Sequence, residues 1–167
     1  MDRAPAKPLS PSAQRVQDAL AAAGVATTVT EYPSSARTSA EAAIVLGCSV
    51  GEIAKSLVFR LPDGRALLVI ASGANRVDEA KIAALLGHAP GKADAAFVRE
   101  VTGYAIGGIP PLAHATPLTA IVDRDLMRFD VVHAAGGTPN AMFPIRPSEL
   151  VRVARGTVAD VALLTSF

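Results

Sequence analysis

The 167-residue chain contains one cysteine, no tryptophan and only 4% aromatic residues. A single thiol, Cys48, cannot close an intramolecular disulfide or build a cysteine-based zinc ribbon, and a reducing cytoplasm is the expected setting. Excess charge of either sign is missing as well, since 16 basic residues stand against 15 acidic ones for a formal net charge of +1. Without a global field, strong general binding to DNA or RNA is not expected, and any RNA partner has to be met locally. Long apolar runs are also absent. The longest candidate, residues 66–71, falls far short of the roughly 18–20 residues that span a bilayer, and the first residues lack a signal-peptide core, so no membrane association is expected. The sequence has no phosphate loop of the GxxxxGK(S/T) type, no HExxH helix and no GxSxG elbow. His88, His114 and His133 are too scattered for the usual ligand spacings, so no metal and no other cofactor is expected. Cys48 has no adjacent base and reads as a structural thiol rather than a nucleophile.

What the chain does have is aliphatic bulk. Half of its residues are hydrophobic, enough at this length to bury one core. Residues 1–9, proline-rich and mixed in charge, read as a disordered lead-in, which leaves 10–167 as a single domain. Ser10 followed by Pro11 starts a helix carrying Ala13, Val16 and Leu20 to a stop at Gly24. Residues 25–32 read as a strand, followed by a loop containing Arg37. Thr38 with Glu41, and Ser49 with Glu52, match capping boxes and predict two short helices broken at Gly47. The second runs into an apolar strand at 55–61, which Pro62-Asp63-Gly64 turns back into residues 65–72 as a central hairpin. Its return strand has no polar alternation and should be covered on both faces.

Residues 77–86 and 94–101 read as helices stopped by Gly87 and Gly103. Strands are expected at 118–122, 129–134 and 142–145, a helical turn at 147–150, a last strand at 151–154 and a closing helix at 157–164. Hairpins mixed with scattered helices indicate an α+β domain built on a mixed, mostly antiparallel, barrel-like sheet surrounded by helices.

Two features carry chemistry. Lys55 falls where a capped helix meets an apolar strand, so its side chain is held rigidly near a sheet end; a lysine snorkelling over apolar surface is the plainer reading. Gly107-Gly108-Ile109-Pro110-Pro111 combines glycines that allow close backbone approach with prolines that stiffen the loop, as in a tight connection or a ligand-binding loop.

Ala54-Lys55-Ser56-Leu57-Val58-Phe59, then Thr102-Gly103-Tyr104-Ala105-Ile106-Gly107-Gly108-Ile109-Pro110-Pro111-Leu112, then Ala135-Gly136-Gly137, resemble in order and spacing the YbaK/EbsC family. These are free-standing aminoacyl-tRNA deacylases related to the editing domain inserted in bacterial prolyl-tRNA synthetases. The resemblance covers roughly residues 12–160, and Val77-Asp78-Glu79-Ala80-Lys81-Ile82 fits the family's helix after the hairpin. It implies trans-editing hydrolysis of the ester of mischarged proline tRNA, with Cys-tRNA(Pro) the first choice and alanine or another small amino acid the alternative. Lys55 matches the family's main functional residue. Gly107, Gly108, Ile109 and Pro110 match its backbone-contact loop, while Tyr32, Ser56, Ala135, Gly136 and Gly137 match other pocket positions.

Two departures stand out. Ala135 occupies a position where the Cys-tRNA branch often has serine, and Ser56 one where it commonly has threonine. The implied partners are mischarged proline tRNA and, transiently, prolyl-tRNA synthetase. Lys55, Arg60, Arg65, Arg128, Arg146, Arg152 and Arg155 are candidate tRNA contacts, each readable also as ordinary solvated surface. The rival from another class is a non-catalytic module that binds an aminoacyl-tRNA end or a nucleotide.

Overall fold

The computed structural model describes residues 7–33 and 38–164. Arg37 and most of the expected lead-in lie outside the described residues, while Leu9, at its end, packs against the main core. Helix α1 (Pro11–Ala22) starts on the Ser10 side chain with Pro11 in its first turn, and it buries Ala13, Val16 and Leu20 on one stripe. Gly24, at φ +76°, ends the turn that follows.

The strand expected at 25–32 shrinks to β1 (Thr30–Glu31). Val25 and Val29 are buried, but the Gln17 side chain and local backbone bonds take the place of a ladder partner there. The Gln17 amide donates to the Thr27 carbonyl at 3.1 Å and accepts from Val29 N–H at 2.7 Å. β-Propensity alone does not make a strand when a neighbouring helix supplies the hydrogen bonds.

Both capping boxes start helical turns. Thr38 accepts from Glu41 N–H at the head of α2 (Ser39–Leu46), which ends at Gly47 with φ +67°. Glu52 accepts from the Ser49 N–H and hydroxyl, closing a single 3₁₀ turn, Val50–Glu52. That turn delivers the chain into β2 (Ile53–Arg60), which pairs antiparallel with β3 (Ala66–Ser72) in register from Ala54↔Ser72 to Arg60↔Ala66. Every residue of β3 is buried, because both faces of the sheet are covered.

Next come α3 (Glu79–Leu86), the two-residue β4 (Gly91–Lys92) and α4 (Ala95–Thr102), the helices capped by Asp78 and Asp94 and stopped by Gly87 and Gly103. They are followed by β5 (Thr119–Asp123), a 3₁₀ turn at Arg124–Arg128, β6 (Val132–Ala135) and β7 (Ala141–Ile145).

The last segments differ from expectation. The turn and strand expected at 147–154 are one helix, α5 (Pro147–Ala154). Pro147 opens it, and Pro147, Leu150 and Ala154 form its buried stripe. The β-branched Val151 and Val153 are partly buried and only flank that stripe. The helix expected at 157–164 is instead β8 (Thr157–Ala159), which pairs parallel with β5.

The sheet order is β1-β7-β6-β2-β3-β5-β8, with β4 added to β2. Pairing is antiparallel for β1/β7, β7/β6, β2/β3 and β2/β4, and parallel for β6/β2, β3/β5 and β5/β8. Leu68, Ile70, Val122 and Phe143 face a large cluster with α1 and α5. Leu67, Val69 and Ile121 face a smaller cluster with Ile82 of α3.

Candidate active site

The site lies where the sheet divides. One side of β2 is paired with β3 along its length. Its other side meets β6 only at Ile53 and Ala54, and β4 only at Phe59 and Arg60. Among the described residues, no strand covers that side between Lys55 and Val58. The bonds Gly73 N–H to Ile53 O and Leu61 N–H to Arg65 O set the odd-numbered residues of β2 toward β3. Backbone alternation then turns the N–H and C=O of Ser56 into the gap.

A cleft of about 460 Å³ occupies this place. Lys55, Ser56, Gly107, Ile109 and Ala135 all line it, together with Thr38, Ser39 and Ala42 at the head of α2, Gly73, Ile106 and Met142. Three segments remote in sequence are therefore brought to one cavity. Much of its lining is apolar, and among the described residues its polar groups are few: the Lys55 ammonium, the hydroxyls of Thr38, Ser39 and Ser56, and the open backbone of β2. That balance is usual for a small-molecule site.

The glycine-proline loop is anchored by hydrogen bonds on both sides. The buried Thr102 hydroxyl donates to Val98 O and accepts from Tyr104 N–H, and the Tyr104 hydroxyl donates to Ala113 O. His114 Nε2 lies 2.6 Å from Pro110 O, and burial holds the His114 pKa below its ordinary value, so the neutral ring donates from Nε2. Between these anchors, Gly108 N–H donates to Ala105 O at 3.0 Å, and Gly107 has φ +93°. This is the arrangement of a type II turn with glycine at its third residue, and it leaves the Gly107 N–H outside the turn's own hydrogen bond.

Lys55 is half-buried, and its Nζ donates to the backbone carbonyl of Asn75. Burial pushes its pKa below the ordinary lysine value; the Asp123 carboxylate opposes that shift and the Arg76 guanidinium adds to it. Asp123 is only 1% exposed and accepts from Ser72 N–H at 3.0 Å, Asn75 Nδ2 at 2.9 Å and Asp125 N–H at 3.0 Å. Sequence reading missed Asn75, Asp123 and Asp125. One signal was available: Ser72 and Asp123 each end an apolar run, and β3 and β5 are parallel, so both polar ends fall on one side of the sheet.

The other expected site residues do not themselves line the cleft. Gly108, Pro110, Gly136, Gly137 and Tyr32 are not among the cleft-lining residues. A Cβ on Gly136 would come within 2.7 Å of Val29, and one on Gly137, at φ +104°, within 2.7 Å of Ser12 O, so this turn is glycine because it is pressed on β1's approach and on α1. Tyr32 packs against the cluster of Ala42, Ala43, Ile53 and Met142 and exchanges hydrogen bonds with Asn140 across β7's approach. It lines a second groove, with His133. Cys48 is half-buried, and burial raises its thiol pKa, with Glu52 adding to the effect. Among the described residues no group of three or more His, Cys, Asp or Glu side chains is placed to hold a metal ion, and no helix is long and apolar enough to cross a membrane.

Comparison with known proteins agrees with this architecture. Residues 33–153 match the model of a family described as an aminoacyl-tRNA editing domain. The uncharacterised protein YwhH of Bacillus subtilis (strain 168) is 34% identical over 122 residues, covering 73% of this chain and 78% of that protein. A crystal structure described as a candidate trans-editing enzyme for prolyl-tRNA synthetase is 47% identical, with a TM-score of 0.89 over 94% of this chain and all of the other. A scaffold protein used for computational epitope grafting is 44% identical, with a TM-score of 0.88 over the same shares. With its motifs gathered at one cleft and most of its length matched, the chain belongs to the aminoacyl-tRNA editing domain family, in its YbaK-like group.

Proposed function

We propose that this protein is a trans-editing deacylase that hydrolyses the ester of mischarged proline tRNA, with Cys-tRNA(Pro) the leading substrate and alanine or another small amino acid the alternative. The observation that carries this reading is the half-buried Lys55 ammonium in a cleft also lined by Gly107 and by the open backbone edge of β2. An aminoacyl ester is intrinsically reactive. Fixing its carbonyl against a cation and aimed amides stabilises the oxyanion that develops as water, or the substrate's own thiol, attacks. With water, the C–O bond to the ribose breaks, the ribose oxygen takes up a proton, and the free amino acid leaves. No protein nucleophile is needed, and Cys48 is not among the residues lining the cleft.

The ammonium is the working form of Lys55. Because burial lowers its pKa, enzyme-dependent hydrolysis should fall away as pH rises through that lowered value, earlier than an exposed lysine would allow. A pH profile of the rate above spontaneous hydrolysis checks this.

Arg76 is exposed and lies close enough to influence Lys55, and among the described residues no carboxylate pairs with it. It suits an incoming phosphate of the tRNA end. With a net charge of only +1, binding would rest on a few local cations, so affinity should be weak and salt-sensitive. A transient complex with prolyl-tRNA synthetase in the cytoplasm would supply the remaining specificity for proline tRNA.

The test is release of amino acid from Cys-, Ala- and Pro-tRNA(Pro) by purified protein. Preferential release from a mischarged species supports the reading. Binding without release from any of them would favour the non-catalytic module. Ala135 lines the cleft, so Ala135→Ser should raise Cys-tRNA(Pro) hydrolysis relative to Ala-tRNA(Pro), by a factor of a few, as expected for one added hydrogen bond of about 1 kcal/mol. An unchanged ranking of the two rates would count against a selective role for this position.

A further inference from the structure

The hydrogen bonds behind Lys55 converge on one side chain. Asn75 Nδ2 has two hydrogens, and the two acceptors placed around it are Asp123 Oδ2 at 2.9 Å and Asp125 Oδ2 at 2.8 Å. The backbone carbonyl of the same residue accepts from Lys55 Nζ. An asparagine suits this position chemically. Its amide donates twice without bringing a charge, whereas a lysine or arginine would compete with Lys55 and an aspartate would add a third carboxylate.

Both flanks of Asn75 are tied down. On one, Asn75 N–H donates to Ser72 O, and the Ser72 hydroxyl donates to Gly51 O. On the other, the Arg76 carbonyl accepts from Leu163 N–H. Asp123 is buried and itself accepts from Ser72 N–H, so the amide bridge ties the loop that carries Asn75 to an anchor at the end of β5.

We propose that Asn75 is a positioning residue for Lys55: by bridging Asp123 and Asp125, its amide holds its own carbonyl beneath the ammonium and so fixes where the cation points in the cleft. This rests on the reading of Lys55 as the working group. Among the described residues, the charged groups that act on Lys55 are Asp123 and Arg76, with Asp125 reached through the amide.

The test uses the full chain with Asn75→Ala, Asn75→Asp, Asp125→Ala and Asp125→Asn. Four quantities are measured: kcat and KM for aminoacyl-tRNA, thermal stability, and the titration of Lys55 followed by NMR of labelled lysine. Asn75→Ala should lower kcat on the order of tenfold, short of the ~100-fold that a full 1 Å misplacement can cost, with KM little changed. The Lys55 titration should move up toward the ordinary lysine value as the freed side chain regains water. Asp125→Ala should act in the same direction to a smaller extent, whereas Asp125→Asn keeps an acceptor for the amide and should retain activity. Asn75→Asp should recover part of its activity relative to wild type as pH falls, because a protonated carboxyl can donate one of the two lost bonds.

Unchanged kcat in Asn75→Ala, or a loss that merely follows thermal stability while the Lys55 titration stays in place, would overturn the proposal. Wild-type protein inactive on every aminoacyl-tRNA would instead sink the deacylase reading, and the Lys55 titration would still decide whether Asn75 positions the lysine.

Discussion

Replacing Lys55 with alanine should reduce deacylation by on the order of 100- to 1000-fold, the scale of losing one preorganised oxyanion-stabilising donor, while leaving the protein folded. Both halves of that expectation have a structural basis. The Lys55 side chain reaches the cleft from the second residue pair of the β2/β3 hairpin, where the backbone ladder is intact and independent of side-chain identity. Its removal relieves the desolvation of a half-buried charge but takes a donor from the Asn75 carbonyl and a nearby cation from the buried Asp123; these opposed effects should leave the fold in place with only a modest change in stability. Lys55→Arg keeps the charge but exchanges a compact ammonium for a planar fork. The fork cannot occupy the same point under the Asn75 carbonyl, so arginine should restore only a fraction of the rate. Circular dichroism and thermal unfolding of the two variants, run beside rate measurements, separate a chemical loss from a folding loss.

The second large effect is expected at Gly108, for a reason that differs from the usual one for glycine in a binding loop. A Cβ placed there would stand 2.8 Å from both Cα and C of Thr138 and 2.9 Å from its nitrogen. Those are backbone atoms and cannot rotate aside. Gly108→Ala therefore has to push the glycine-proline loop away from the β6–β7 connection, at a cost of about 1–3 kcal/mol for overpacking. The same displacement carries Gly107 and Ile109 off the cleft wall, since both line it and both lie next to Gly108. A shift near 1 Å would lower the rate by about 100-fold. The variant should thus lose stability and activity together, in contrast to Lys55→Ala, which loses activity alone. Comparing melting temperature with kcat for these two variants distinguishes a residue that frames the cleft from one that works inside it.

Much of the fold is written in local chemistry. α1, α3 and α4 begin at Ser10, Asp78 and Asp94 and are followed by Gly24, Gly87 and Gly103, and each of those signals operates within a few residues. The hairpin is legible for the same reason, its turn being closed by Gly64 N–H to Leu61 O and by Leu61 N–H to Arg65 O.

The elements that escaped are those decided by distant partners. Residues 25–29 have strand composition but spend their hydrogen bonds on Gln17 and, through the Thr27 hydroxyl, on the Pro144 carbonyl 117 positions away. β8 exists because β5 offers it a parallel edge. In α5, the spacing of Pro147, Leu150 and Ala154 prevails over two valines whose own preference is extended.

The candidate site divides in the same way. Lys55, Ser56, Gly107, Ile109 and Ala135, which motif order had placed together, all reach the cleft. The glycines at 108, 136 and 137 belong to backbone packing that only the folded chain reveals. Asn75 was not legible at all, since its amide meets carboxylates 48 and 50 residues further on. The near-neutral charge is also better understood from the structure. Lys55 lines the cleft and Arg76 lies close enough to act on it, and on the proposed reading such a local pair of cations would be enough to meet the end of a tRNA.

The most direct measurement is the single-turnover rate of amino-acid release from Cys-tRNA(Pro) and Ala-tRNA(Pro), with wild-type protein beside Lys55→Ala and with Pro-tRNA(Pro) as the correctly charged reference. Release that depends on Lys55 and spares Pro-tRNA(Pro) is the expected result. Equal rates with and without the lysine, or no release above spontaneous hydrolysis from any mischarged species, would contradict a deacylase built on this cleft.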